Sequence, residues 1–312
     1  MSTRNKPIVE SVILLVVALV LLFISVHTIL GMFAFLLVPV PFVLLASRST
    51  GRELLLFILL FAIVSYFFAG LGGSLMAIMF GFIGGIMGRA YQRRRSALAA
   101  IVIGAGASFV SLVLGLALTK YVFGVDLVTG MERTTEQLIS GPGSLPTPGW
   151  LTKEEWKSEI DMQLRLFELV LPSIIVATSF IMSTVVHWFA RLISNLLKRP
   201  LPRLLPVREW NFPRSLIYYY FGALLLLLMF GNATEKNFLS SALNNVKVML
   251  DMVFMLQGLS FCFYILYRKG WKKLSPVLVV VLFIFPLLTY ILSLLGILDL
   301  GVGLRKRMEK RK

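Results

Sequence analysis

Cysteine, histidine and acidic residues are scarce in this chain, and each scarcity removes a class of function. One cysteine, Cys262, among 312 residues can form no intramolecular disulfide, and it has no companion at metal-ligand spacing. The two histidines are His27 and His187. The topology read below puts them on opposite sides of a membrane, so they cannot share one metal ion. No GxSxG, HExxH or CxxC occurs, and the acids show no catalytic spacing. No enzyme activity, metal or cofactor is therefore expected. Charged residues make up only 15% of the chain, against about a quarter in soluble domains.

Apolar residues fill the gap, at 58%. A bilayer core of roughly 30 Å needs about 20 apolar residues of helix to cross it. Lipid offers no hydrogen-bond partners, so each span must satisfy its own backbone. A membrane barrel would show short alternating segments, and none appear. The expected fold is all-α: a polytopic transmembrane helical bundle of 8–10 membrane segments. The spans read as Ile8–Leu30, Phe33–Ala46, Glu53–Ala69, Leu71–Ala90, Ala97–Phe123, Leu166–Leu197, Leu216–Phe230 and Val246–Tyr267, with a last apolar stretch, Leu274–Leu298. Pro39-Val40-Pro41 kinks the second, and Pro172 lies near the start of the sixth. The first follows a basic start (Arg4, Lys6) but lacks a small-x-small cleavage site, and is read as a retained span.

Lysine and arginine outnumber the acids, 31 to 15, for a net charge of +16. They gather in alternate breaks: Arg4 and Lys6; Arg48 and Arg52; Arg89, Arg93, Arg94 and Arg95; Arg191 to Arg214; and Arg268 to Lys273. The positive-inside rule assigns these breaks and the N-terminus to the cytoplasm. The breaks near Gly31, Gly70 and Gly231 are poor in basic residues and fall outside. This spread explains the charge without nucleic acid, and the basic patches should attract anionic lipid headgroups.

One large outer loop, Gly124–Arg165, carries seven of the 15 acids, and its centre, Ser140–Gly149, should be irregular. Thr152 and Glu155 then match a capping box that opens an amphipathic helix running into the sixth span. The basic tail, Arg305 to Lys312, conflicts with a count of nine crossings. Either Pro286 splits the last stretch into a hairpin that returns the tail inside, or the tail violates the rule.

Two sets of residues carry functional expectations. Gly81, Gly84, Gly85 and Gly88, followed by Ala100, Gly104 and Ser108, repeat small residues at four-residue spacing. Such faces pack helices backbone to backbone or dock a partner subunit. Polar residues within apolar spans are expensive and cluster in the outer half: His27, Tyr66, Ser74, Glu168 and Asp251. They read either as groups snorkelling to water or as the lining of an outward pocket for a small solute.

Pro39-Val40-Pro41-Phe42, followed by Arg48 and Gly51, and the ending Leu298-Asp299-Leu300-Gly301 with Leu304-Arg305-Lys306-Arg307, resemble the YybS-like family of uncharacterised bacterial membrane proteins. The resemblance implies that the first six spans are similar to the six-helix substrate-binding subunits of energy-coupling-factor transporters. Those subunits have both ends cytoplasmic, a short irregular second or third helix and an outward pocket. Ala18 is followed by Leu22 where such subunits often carry a second alanine for docking. The expected division is a six-helix membrane domain, 1–200, including the outer segment 124–165, and added C-terminal helices with a basic tail, 201–312. The expected function is a small-solute capture or permease subunit working with membrane partner subunits. The alternative is a non-transporting scaffold or regulator acting through basic cytoplasmic loops.

Overall fold

A computed structural model describes residues 6–140, 149, 150, 152–230 and 238–310. The regular elements of the described residues are all helices, with no strand among them. Most of the irregular loop centre expected around 140–149 lies outside the described residues. The chain gathers into two compact units. The first comprises Met1–Lys153 and Ile174–Leu204, the second Glu154–Ser173 and Leu205–Lys312.

The first unit contains α1 (Lys6–His27), α2 (Gly31–Leu37), α3 (Pro39–Ala46), α4 (Gly51–Gln92), α5 (Ala97–Tyr121), α6 (Leu127–Ser140) and residues 174–196 of α7 (Lys153–Leu196). The segment broken by Pro39 and Pro41 is the centre of its core: every residue of α3 is buried. The break suits the prolines. The helix restarts at Pro39, so both fall in a first turn, where their missing N–H groups have no helical acceptor to lose.

The two spans expected at 53–69 and 71–90 are two helical arms, together α4, that meet at Gly70, with φ 61° and ψ −158°. That conformation is accessible essentially to glycine alone. The chain reverses there. A Cβ on Gly81 would stand 2.7 Å from the Ile58 side chain, and one on Gly85 would stand 3.1 Å from Leu54. Arms 51–69 and 71–92 thus pack antiparallel, each on the order of 30 Å long. A capping box starts the first arm: Glu53 N–H donates to Thr50 Oγ1 at 3.4 Å and Thr50 N–H to Glu53 Oε2 at 2.8 Å.

The glycine repeat serves three internal neighbours. Gly81 and Gly85 face the other arm. Gly84 and Gly88 face α3, where an added Cβ would stand 2.3 Å from the Pro39 carbonyl oxygen and 2.5 Å from that of Val43. Gly104 of α5 leaves room for Ser183 of α7, whose hydroxyl donates to the Ile101 carbonyl at 2.8 Å. Ala100 and Ser108 are buried on the same face of α5. Small residues let these helix backbones approach closely.

The second unit holds residues 154–173 of α7, then α8 (Ser215–Phe230), α9 (Phe238–Arg268), α10 (Ser275–Ile284), α11 (Leu288–Val302) and α12 (Leu304–Lys310). Pro172 has no N–H for its helix, and Asn245 of α9 repairs the next rung. Its Oδ1 accepts from Ser173 N–H at 2.9 Å and its Nδ2 donates to the Leu169 carbonyl at 2.8 Å. One amide thus serves both ends of an i to i−4 bond.

The last apolar stretch is two helices, separated at Phe285 and Pro286. α10 has 10 residues and rises only about 15 Å. α11 then runs in the same direction as α9, as three successive contacts show. Ser293 Oγ donates to the Asp251 carbonyl at 3.4 Å, a Cβ on Gly296 would stand 1.9 Å from the Phe254 carbonyl oxygen, and Gln257 Nε2 donates to Asp299 Oδ2 at 2.6 Å. The Pro286 hairpin therefore holds, and α11 ends where α9 ends.

One helix was not anticipated. α6 lies inside the segment 124–165, just after a Lys120–Asp126 ion pair of 2.6 Å. α7 begins at Lys153, directly after Thr152, and continues unbroken through 196, as the amphipathic run into the sixth span required.

Candidate functional site

Charge sorts by end within each unit. In the first, Glu10 at the start of α1 pairs with Arg48 and lies 3.7 Å from Arg199 Nη1. Arg89 Nη1 donates to the Ser49 carbonyl at 2.8 Å and to Gln92. The breaks after α3, α4 and α7 thus meet the start of α1 at one end. Near this end, buried Tyr91 hydrogen-bonds His187 across from α7, a structural use of that histidine. The opposite end is marked by the Gly70 reversal. There the His27 ring stacks on Phe23 at 4.6 Å, with Phe68 6.3 Å away.

In the second unit the tail joins the basic breaks through a buried network. Arg305 Nε donates to Asp299 Oδ2 at 2.9 Å, the two side chains being 14% and 2% exposed. Its Nη1 reaches the carbonyls of Arg208 and Trp210, each at 3.1 Å, and its Nη2 reaches Ser260 Oγ at 3.0 Å. Gln257 completes the set: Oε1 accepts from Phe212 N–H at 3.1 Å while Nε2 serves Asp299. Farther along, Arg268 Nη2 donates to the Met308 carbonyl at 2.7 Å. Asp299 and Arg305 answer each other, as a buried ion pair requires.

The five polar candidates divide between the units. His27, Tyr66 and Ser74 lie in the first, at the Gly70 end; His27 and Tyr66 are exposed and Ser74 is half-buried. Glu168 and Asp251 lie in the second. Glu168 is exposed, and Asp251 pairs with Lys247 at 2.7 Å, four residues before it, and hydrogen-bonds Tyr220. Among the described residues no cluster of three or more His, Cys, Asp or Glu is arranged to hold a metal ion.

A cleft of about 410 Å³ does open in the first unit, and none of these five lines it. Its apolar walls are Leu54 and Ile58 on one arm of α4, Phe82 and Ile86 on the other, and Ile103 on α5. Its charged lining is Arg89, Arg93 and Arg95, at the basic end. Arg89 and Arg93 are one helical turn apart and share a side of α4. Arg95 is brought back by a Schellman turn: its N–H donates to the Ala90 carbonyl at 3.1 Å, and that of Arg94 to Tyr91 at 2.9 Å. Sequence patterning marked these arginines as a cytoplasmic break, but an apolar trough beside them depends on glycines 81 and 85 drawing the arms together.

Among the described residues five helices are long and apolar enough to cross a membrane, and one of them is the folded α4. Gly31–Ala46, Ser215–Phe230 and Leu288–Val302 are shorter apolar segments. Val12, Ile13, Val16 and Val20 of α1, and Leu225 and Leu228 of α8, stand exposed; patches of this kind are rare on soluble monomers and ordinary against lipid. Apolar helices of bilayer length, with the cationic breaks of each unit at one end, define a polytopic integral membrane protein. The chain belongs to the family described as predicted membrane protein DUF2232, which matches residues 14–300. It is also similar to the uncharacterised protein YybS of Bacillus subtilis (strain 168), with 24% identity covering 98% of this chain and 99% of that one. No solved structure matches it.

Proposed function

We propose that this membrane protein works through its basic face, as a non-enzymatic scaffold or regulator that gathers anionic partners on the cytoplasmic side. The observation that carries this reading is the cleft with Arg89, Arg93 and Arg95 in its lining. Among the described residues no carboxylate pairs with Arg93 or Arg95, whereas Arg48, Arg199 and Arg305 each have one. The positive-inside rule places this face, the N-terminus and the tail in the cytoplasm.

The test is complementation of a deletion strain. Arg89→Gln/Arg93→Gln/Arg95→Gln should fail to complement while being made and inserted normally, and His27→Ala and Glu168→Ala should complement fully. The reverse pattern would remove the reading and favour a second one, a small-solute capture or permease subunit with membrane partner subunits. That second reading draws on the six segments of the first unit, the buried break at α2–α3 and the polar groups at the Gly70 end. It expects a metabolite retained through native mass spectrometry and lost in His27→Ala.

A further inference from the structure

We infer that the cleft between the arms of α4 and α5 holds one anionic phospholipid, with its phosphate against Arg89, Arg93 and Arg95 and an acyl chain along Ile58, Phe82 and Ile86. This rests on the reading of the basic face as the working surface, and names its ligand. The lining is ordered as a lipid is ordered. The guanidiniums come from the last turn of α4 and the break after it, while the apolar residues lie one to three turns deeper in the span. Guanidinium forks match phosphate oxygens, two N–H groups to a phosphate.

Two further features mark the end of α4, and both recur elsewhere: Arg191 Nε and Arg268 Nη1 are also enclosed without partners, and Lys198 is also left-handed. Arg89 Nη2 is enclosed and has no hydrogen-bond partner among the described residues. Arg94 holds a left-handed conformation, φ 54°, at the position where such turns usually carry glycine. A side chain there costs on the order of 1–2 kcal/mol, and this strained turn is what returns Arg95 to the cleft. Three like charges in one cleft also repel, and an acidic headgroup offsets that repulsion. A free phosphate would answer the arginines and leave the apolar walls empty; a phospholipid answers both. The volume, about 410 Å³, falls within the roughly 300–1,000 Å³ of small-molecule sites.

The full-length protein, delipidated in mild detergent, is titrated with phosphatidylglycerol or with phosphatidylcholine of the same chains and read by native mass spectrometry. One phosphatidylglycerol per chain should be retained, at least tenfold more strongly than phosphatidylcholine. Arg93→Gln/Arg95→Gln should abolish that preference. Ile103→Trp, which fills the apolar wall without changing charge, should displace the lipid as well. Lys272→Gln/Lys273→Gln, at another basic break, should leave retention within twofold. Each variant is accepted only if its melting temperature stays near that of the parent, and the two-lipid comparison on the parent needs no variant. Equal retention of the two lipids, or equal loss on neutralising Lys272 and Lys273, overturns the site and leaves the basic-face reading standing. If inorganic phosphate competes away phosphatidylglycerol while Ile103→Trp has no effect, the cleft is an anion site and the lipid is rejected. Full complementation by the triple arginine variant would bring down the underlying reading itself.

Discussion

Asp299→Ala is expected to destabilise the protein by about 3–5 kcal/mol, the usual result of removing one partner of a buried ion pair. The carboxylate is 2% exposed and receives both Arg305 Nε and Gln257 Nε2. Its removal leaves a guanidinium charge and an amide donor enclosed together. Arg305 cannot simply swing to water, because its remaining nitrogens are held by the carbonyls of Arg208 and Trp210 and by Ser260. The double variant Asp299→Leu/Arg305→Met separates the unpaired charge from the lost attraction. Replacing both partners by apolar groups is often close to neutral, so the double variant should melt well above Asp299→Leu alone. Equal melting temperatures for the single and double variants would show that the ion pair is not what holds the tail.

The second large effect is expected at the crossing of α9 and α11. A Cβ on Gly258 would stand 1.9 Å from the Leu292 carbonyl oxygen, and one on Gly296 equally close to that of Phe254. These neighbours are backbone, so no rotamer change makes room. Overpacking typically costs 1–3 kcal/mol and more where nothing can shift, and here relief means separating two helices. Gly296→Leu should therefore lower the melting temperature in detergent by on the order of 5–10 °C. Gly222→Ala on α8 is the matched control, since nothing lies within 4 Å of its added methyl; it should melt like the parent. A Gly296→Leu variant as stable as Gly222→Ala would mean that the two helices do not cross this closely.

The helices were legible because lipid leaves the backbone no other solution, so long apolar runs translate directly into spans. Gly70 was legible as the break between two spans, and its φ of 61° is how the chain turns there. The tail needed the structure, because no local pattern shows whether Pro286 kinks a crossing or reverses it. The register of α11 on α9 decided it. α6 was missed because its few apolar residues sit in an acidic segment with no span-length run.

The arrangement of the polar candidates was less legible. Depth along a span can be read by counting residues, and it brought His27, Tyr66 and Ser74 to one end of the first unit. Direction around the helix cannot be counted in a run that is apolar on every side. His27 and Tyr66 are exposed, and Tyr66 is 55% so. Asp299 sat in a motif that carried the family resemblance, but its use was invisible because Gln257 lies far away in sequence. Asn245 was missed likewise: nothing near it indicates that a proline in another helix needs an amide.

On the proposed reading the basic breaks and the tail share the cytoplasmic side of the membrane. Impermeant maleimide labelling of single-cysteine proteins tests it most directly, with Cys262→Ser as the background. Arg94→Cys and Lys306→Cys should both resist labelling in intact cells and both react once the membrane is opened. Labelling of Lys306→Cys in intact cells, with Arg94→Cys still protected, would contradict the claim.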